Sequence, residues 1–81
     1  MPCIITNGTY KVYVYFNDHG LPHCHVIWDG DTEGVVDLTT LSVTRGHPVS
    51  RAGLRFVKAN REKLMEAWNR LNPARNEYEE D

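Results

Sequence analysis

Up to about residue 45, apolar side chains recur at every second position; from Ser50 onward they recur at every third or fourth. Strands have a side-chain period of two and helices one of 3.6, so the chain divides into a sheet-forming first half and a helical second half. A chain of 81 residues removes only about 60% of its unfolded surface from water and cannot divide that between two cores. The two halves must therefore cover each other. This predicts a single α+β domain over residues 1–73, with the sheet at about 10–45 and the helical part at about 50–72.

Within the first half, YKVYVYF (10–16) is β-branched and aromatic throughout and follows the turn-prone Asn7-Gly8. It reads as a strand with Tyr10, Val12, Val14 and Phe16 on one face and Lys11, Tyr13 and Tyr15 on the other. Asn17-Asp18-His19-Gly20 supplies a turn, and Pro22 holds Leu21 extended. A second strand runs from about His23 to Trp28, with Cys24, Val26 and Trp28 on one face and His23, His25 and Ile27 on the other. Asp29-Gly30-Asp31 then predicts a hairpin to a third strand, Gly34 to Thr39, and LSVTR (41–45) is a weaker fourth. The expectation is an antiparallel meander of three to four strands.

In the second half, Leu54, Val57, Leu64, Trp68 and Leu71 form an apolar stripe broken only by Arg61, with Ser50 as N-cap and Pro73 as the stop. Asn60 is also placed to cap a second helix, so the cover reads as one C-terminal helix or two short ones. Trp68 and Trp28 are the expected anchors of the core. Residues 74–81, ARNEYEED, offer nothing to bury and are expected to form a disordered acidic tail.

The formal net charge of −2 conceals three blocks: residues 1–44 carry −4, residues 45–63 carry +5 and residues 64–81 carry −3. Local fields of this kind select partners more than the sum does. No apolar run approaches the roughly 20 residues that cross a bilayer, and MPCIITNG lacks the pattern of a secretory leader, so a cytoplasmic protein without membrane contact is expected. Two cysteines, Cys3 and Cys24, do not make a disulfide framework.

Three of the four histidines fall within seven residues, at His19, His23 and His25. In an extended strand His23 and His25 project to one side, and His19 in the preceding turn is close enough to fold back as a third ligand. Such a His-x3-His-x-His set suits Zn2+ or another divalent transition metal with one coordination position left for substrate. Asp18 would orient an imidazole or serve as the carboxylate of a two-histidine, one-carboxylate site, Asp18 and His19 are the candidate catalytic residues, and His47 is a further donor at the strand-to-helix corner. The same residues also make an ordinary polar turn whose imidazoles bond to carbonyls and pack on tyrosines. A non-catalytic polar surface is the reading that the spacing favours. Cys24 points away from the histidines and is expected in the core.

The stretches YFNDHGLPHCHV and VVDLTTLSV, then Gly46, Pro48 and a helix bearing leucines and a tryptophan, resemble domain-of-unknown-function family 4160. Its signature reads Y-F-N-D-H-x-P-P-H-x-H. Phe16, Asp18, His19, Pro22, His23 and His25 match it, and Leu21 stands where the signature has its first proline. The resemblance implies a small prokaryotic cytoplasmic protein, often encoded beside a second small domain in an arrangement like that of toxin and antitoxin pairs. It implies no reaction.

Arg51, Arg55 and Lys58 form a basic helical edge beside Arg45 at the corner. Such an edge grips either phosphates or an acidic protein, and a sequence pI of about 6.0 with no aromatic-interleaved basic strand favours the protein. Three functions follow as expectations. First is a partner-binding or regulatory module, one component of a toxin–antitoxin-like pair or a homo-oligomer. Second is a metal-dependent hydrolase of ribonuclease type, and third a nucleic-acid-binding module.

Overall fold

Asn7-Gly8 closes the first hairpin of the sheet. The Asn7 carboxamide oxygen accepts from the backbone N–H groups of Thr9 at 3.0 Å and Tyr10 at 2.9 Å. Gly8 takes a φ of +94°, which side chains with a Cβ rarely adopt. The computed structural model describes residues 3–15 and 20–72, and in it this turn joins β1 (Cys3–Thr6) to β2 (Lys11–Tyr13).

The sheet thus has a strand ahead of the expected meander. Its full order is β1-β2-β3-β4-β5, antiparallel at every step, with β3 at His23–Trp28, β4 at Thr32–Asp37 and β5 at Val43–Gly46. Asp29 and Gly30, at φ 55° and 85°, turn β3 into β4 with the positive-φ backbone favoured in tight hairpins.

β2 is shorter than the run YKVYVYF predicts: after Tyr13 the chain leaves the ladder, and the Tyr15 carbonyl accepts from the Asn72 side chain at 3.2 Å. β4 starts and ends two residues earlier than expected because the Asp37 carboxylate accepts from the N–H groups of Thr39 (2.7 Å) and Thr40 (3.0 Å). That capping turns the chain at once. The acidic "DLTTL" stretch is therefore structural: Asp37 holds the turn, Leu38 is fully buried, and Leu41 takes a φ of 61° to start β5.

The helical part is two helices, α1 (Arg51–Ala59) and α2 (Arg61–Leu71). Ser50 caps α1 by accepting from the Gly53 N–H at 3.2 Å and shares a 2.6 Å hydrogen bond with the Tyr10 hydroxyl. At the break, the Asn60 amide donates back to the Phe56 carbonyl at 3.0 Å. Its side chain thus closes α1 and does not cap α2. Arg61 interrupts the apolar stripe for a reason the stripe cannot show. Its guanidinium donates to the carbonyls of Leu38 (2.6 Å) and Thr39 (3.4 Å), tying the start of α2 to the turn after β4.

The core lies between the helices and the Cys24 face of the sheet. Val12, Val14, Cys24, Val26, Val36 and Leu38 pack there with Val49, Val57, Leu64 and Trp68. Of the two expected anchors, Trp68 is 2% exposed. Trp28 is partly buried against the cluster, with its ring edge-on to Tyr10 at 6.0 Å. Among the described residues no helix is long and apolar enough to cross a membrane. The expected acidic tail, 74–81, lies outside the described residues.

Candidate functional site

Alternation along β3 sends Cys24 and Val26 into the core and His23 and His25 to the opposite face, as burial confirms for the first pair. The two imidazoles come together there, with ring centroids 5.4 Å apart at 61°. The His25 ring also meets Tyr15 edge-on at 4.6 Å, and Tyr15 stacks on Tyr13 at 6.1 Å. His23, at the first position of β3, has its ring 5.0 Å from Trp68 of α2.

Each imidazole has a defined orientation. His23 Nδ1 is 2.7 Å from the Leu21 carbonyl oxygen, and His25 Nδ1 is 2.7 Å from Glu33 Oε2. A carbonyl and a carboxylate only accept, so Nδ1 carries a proton in both rings. The His25 side chain is 14% exposed and that of Glu33 is 44% exposed.

No sequence motif marks Glu33; hairpin register is the signal that reveals it. With Ile27 opposite Glu33 and His25 opposite Val35, His25 and Glu33 are diagonal neighbours on one face.

Asp18 and His19 lie outside the described residues, so the third ligand and the catalytic pair of the hydrolase reading do too. His47 is exposed at the corner after β5, where its N–H donates to the Glu33 carbonyl at 2.9 Å. Among the described residues no three His, Cys, Asp or Glu side chains are grouped to hold an ion.

Cys24 is 0% exposed, and burial pushes its thiol up from 9.0 to about 12. It is a protonated core residue and no nucleophile. Because the folded state resists ionisation, its contribution to stability is complete below pH 9 and is lost as pH climbs from 9 to about 12. Urea titrations across that window should give the parent a steeper alkaline loss than Cys24→Ala; parallel slopes would contradict it.

The basic residues divide. Arg51, Arg55 and Lys58 are exposed along α1 and line one shallow groove with Leu41 and Leu54. A second groove continues past Lys58 through Ala59, Arg61 and Lys63. Among the described residues none of Arg51, Arg55 and Lys58 has a carboxylate within ion-pair distance. Arg45 is elsewhere: it pairs with Val35, which pairs with His25, and so belongs to the histidine face of the sheet.

No curated protein and no solved structure matches the chain. One family model does, that of a domain of unknown function, DUF4160, over residues 9–69. The matched span takes in β2 to β5, the histidine strand, α1 and all of α2 but its last two residues. With that share of its length matched, the chain belongs to the DUF4160 family.

Proposed function

We propose that this protein is a partner-binding module, the regulatory or recognition half of a two-protein system of the toxin and antitoxin kind. The observation that carries this reading is the groove of α1. Three cations without a described counter-charge flank two leucines, Leu41 and Leu54. An acidic, partly apolar segment of a protein complements such a surface in both charge and hydrophobicity. A phosphate backbone would use the cations and leave the leucines without a counterpart, which is why a protein is favoured over a nucleic acid.

The test is co-expression of the full chain with the product of the neighbouring reading frame, followed by size-exclusion chromatography and calorimetry. A stable complex is expected, weakening with salt. The Arg51→Glu, Arg55→Glu, Lys58→Glu triple variant should lose on the order of 100-fold or more in affinity, mostly by opposing charge at the groove. An Arg45→Glu variant, on the other face, should bind as the parent does. A chain that stays alone with that neighbour overturns the reading, and so does a complex indifferent to the triple variant. Salt-dependent binding of single-stranded RNA in place of the protein would assign the groove to nucleic acid.

A further inference from the structure

The histidine face carries a second site, independent of the α1 groove. We propose that His23 and His25 bind a divalent transition metal ion through their Nε2 atoms, with Glu33 and the Leu21 carbonyl holding the two rings in the ligating orientation.

Three observations support the site. The first is the proton on each Nδ1. Metal-bound histidines donate their other ring N–H to a carboxylate or a backbone carbonyl, which fixes the tautomer and raises the basicity of the ligating nitrogen. Here one ring has a carboxylate (Glu33 Oε2, 2.7 Å) and the other a carbonyl (Leu21 O, 2.7 Å).

The second is spacing. An ion about 2.0–2.1 Å from an imidazole nitrogen lies roughly 3.2 Å from that ring's centre, so two rings at a tetrahedral angle have centres about 5.2 Å apart. The observed separation is 5.4 Å.

The third is rigidity. His25 is set in a sheet strand between Tyr13 and Val35, with the Tyr15 ring against it, and His23 packs on Trp68. Positions held in this way lose little freedom on binding.

Imidazole donors suit Zn2+, Ni2+ and Cu2+ and not Mg2+ or Ca2+. Among the described residues no group of three or more His, Cys, Asp or Glu side chains is placed to hold the ion, so the proposal is for a site of two imidazoles.

The experiment uses the full chain without a histidine tag, stripped with chelator, and titrated with Zn2+ alone. One equivalent is expected to bind at micromolar or lower concentration. The Nε2 15N resonances of His23 and His25 should move while that of His47 does not. His23→Ala and His25→Ala should each weaken binding about 100-fold. Glu33→Gln, which keeps the side-chain shape, should weaken it about 10-fold, and His47→Ala should leave it unchanged.

Because the imidazole resonances report on folded protein directly, an unfolded variant is not mistaken for a lost ligand. The proposal is overturned if zinc up to about 100 µM moves neither Nε2 resonance, or if binding persists unaltered in the His23→Ala, His25→Ala double variant. Mg2+ should produce no shift at either ring, and an equal response to Mg2+ would also overturn it.

Discussion

Trp68→Ala should lower the stability of this domain by about 3–5 kcal/mol, the cost of emptying a large aromatic site in a core that cannot collapse onto it. Small domains have about 5–10 kcal/mol in total, so a substantial unfolded population is expected on mild heating. Trp68 is 2% exposed, sits in the same cluster as Val57 and Leu64, and supports the His23 ring at 5.0 Å. Urea melts followed by the fluorescence of Trp28, which the variant retains, measure the effect. Trp28→Ala is the comparison: that ring is only partly buried, against Tyr10 and the edge of the core, and its loss should cost distinctly less. A cost below about 1 kcal/mol for Trp68→Ala would mean that the core is not centred where the helices meet the sheet.

Gly46→Ala is expected to cost about 2–5 kcal/mol, for two separable reasons. Gly46 has a φ of +81°, a region that costs a residue with a Cβ about 1–2 kcal/mol. A Cβ there would also stand 2.6 Å from the Glu33 carbonyl oxygen and 3.1 Å from the Gly34 Cα, and crowding of that kind adds about 1–3 kcal/mol. Two other glycines isolate the terms. Gly30 has a φ of +85° and open space around it, so Gly30→Ala should show the backbone term alone. Gly34 is crowded by the His47 carbonyl oxygen at 2.5 Å and Val49 Cγ2 at 2.7 Å without a positive φ, so Gly34→Ala should show crowding alone. Chemical denaturation of the three variants checks the ordering. Equal costs for Gly46→Ala and Gly30→Ala would show that β4 and β5 have room to move apart.

The glycine contacts also bear on the histidine face. Gly34 and Gly46 let β4 and β5 approach where Glu33 is positioned, and the Glu33 carbonyl accepts from His47 N–H at 2.9 Å. A bulkier residue at either place would shift Glu33, whose carboxylate orients His25. The fold and the candidate metal site are thus linked through one short stretch of β4.

Particular residues show how far periodicity carries. Alternation in HCHVIW places Cys24 and Val26 inward and the histidines outward, because a strand has only two faces and valine and cysteine compete better for the dry one. CIIT, which forms β1, gives too few repeats to establish a period, although the Asn7-Gly8 pair behind it is a hairpin signal. Periodicity does not locate the ends of β2 and β4 because side chains decide them: Asn72 takes the Tyr15 carbonyl, and Asp37 captures two N–H groups of the next turn. Asn60 left one helix or two open, and the choice came from its bond to the Phe56 carbonyl together with Arg61 reaching across to Leu38.

What local order in the chain settles is the class of fold, the outward pair of imidazoles and the family, since each depends on neighbours a few positions apart. Pairings between distant segments settle the rest. Glu33 joined His25 through hairpin register, Arg45 parted from the α1 cations because β5 pairs with β4, and Leu41 met Leu54 across a groove. Such meetings follow from how strands and helices are stacked in space, and a linear pattern contains the faces of each element but not which faces are brought opposite one another.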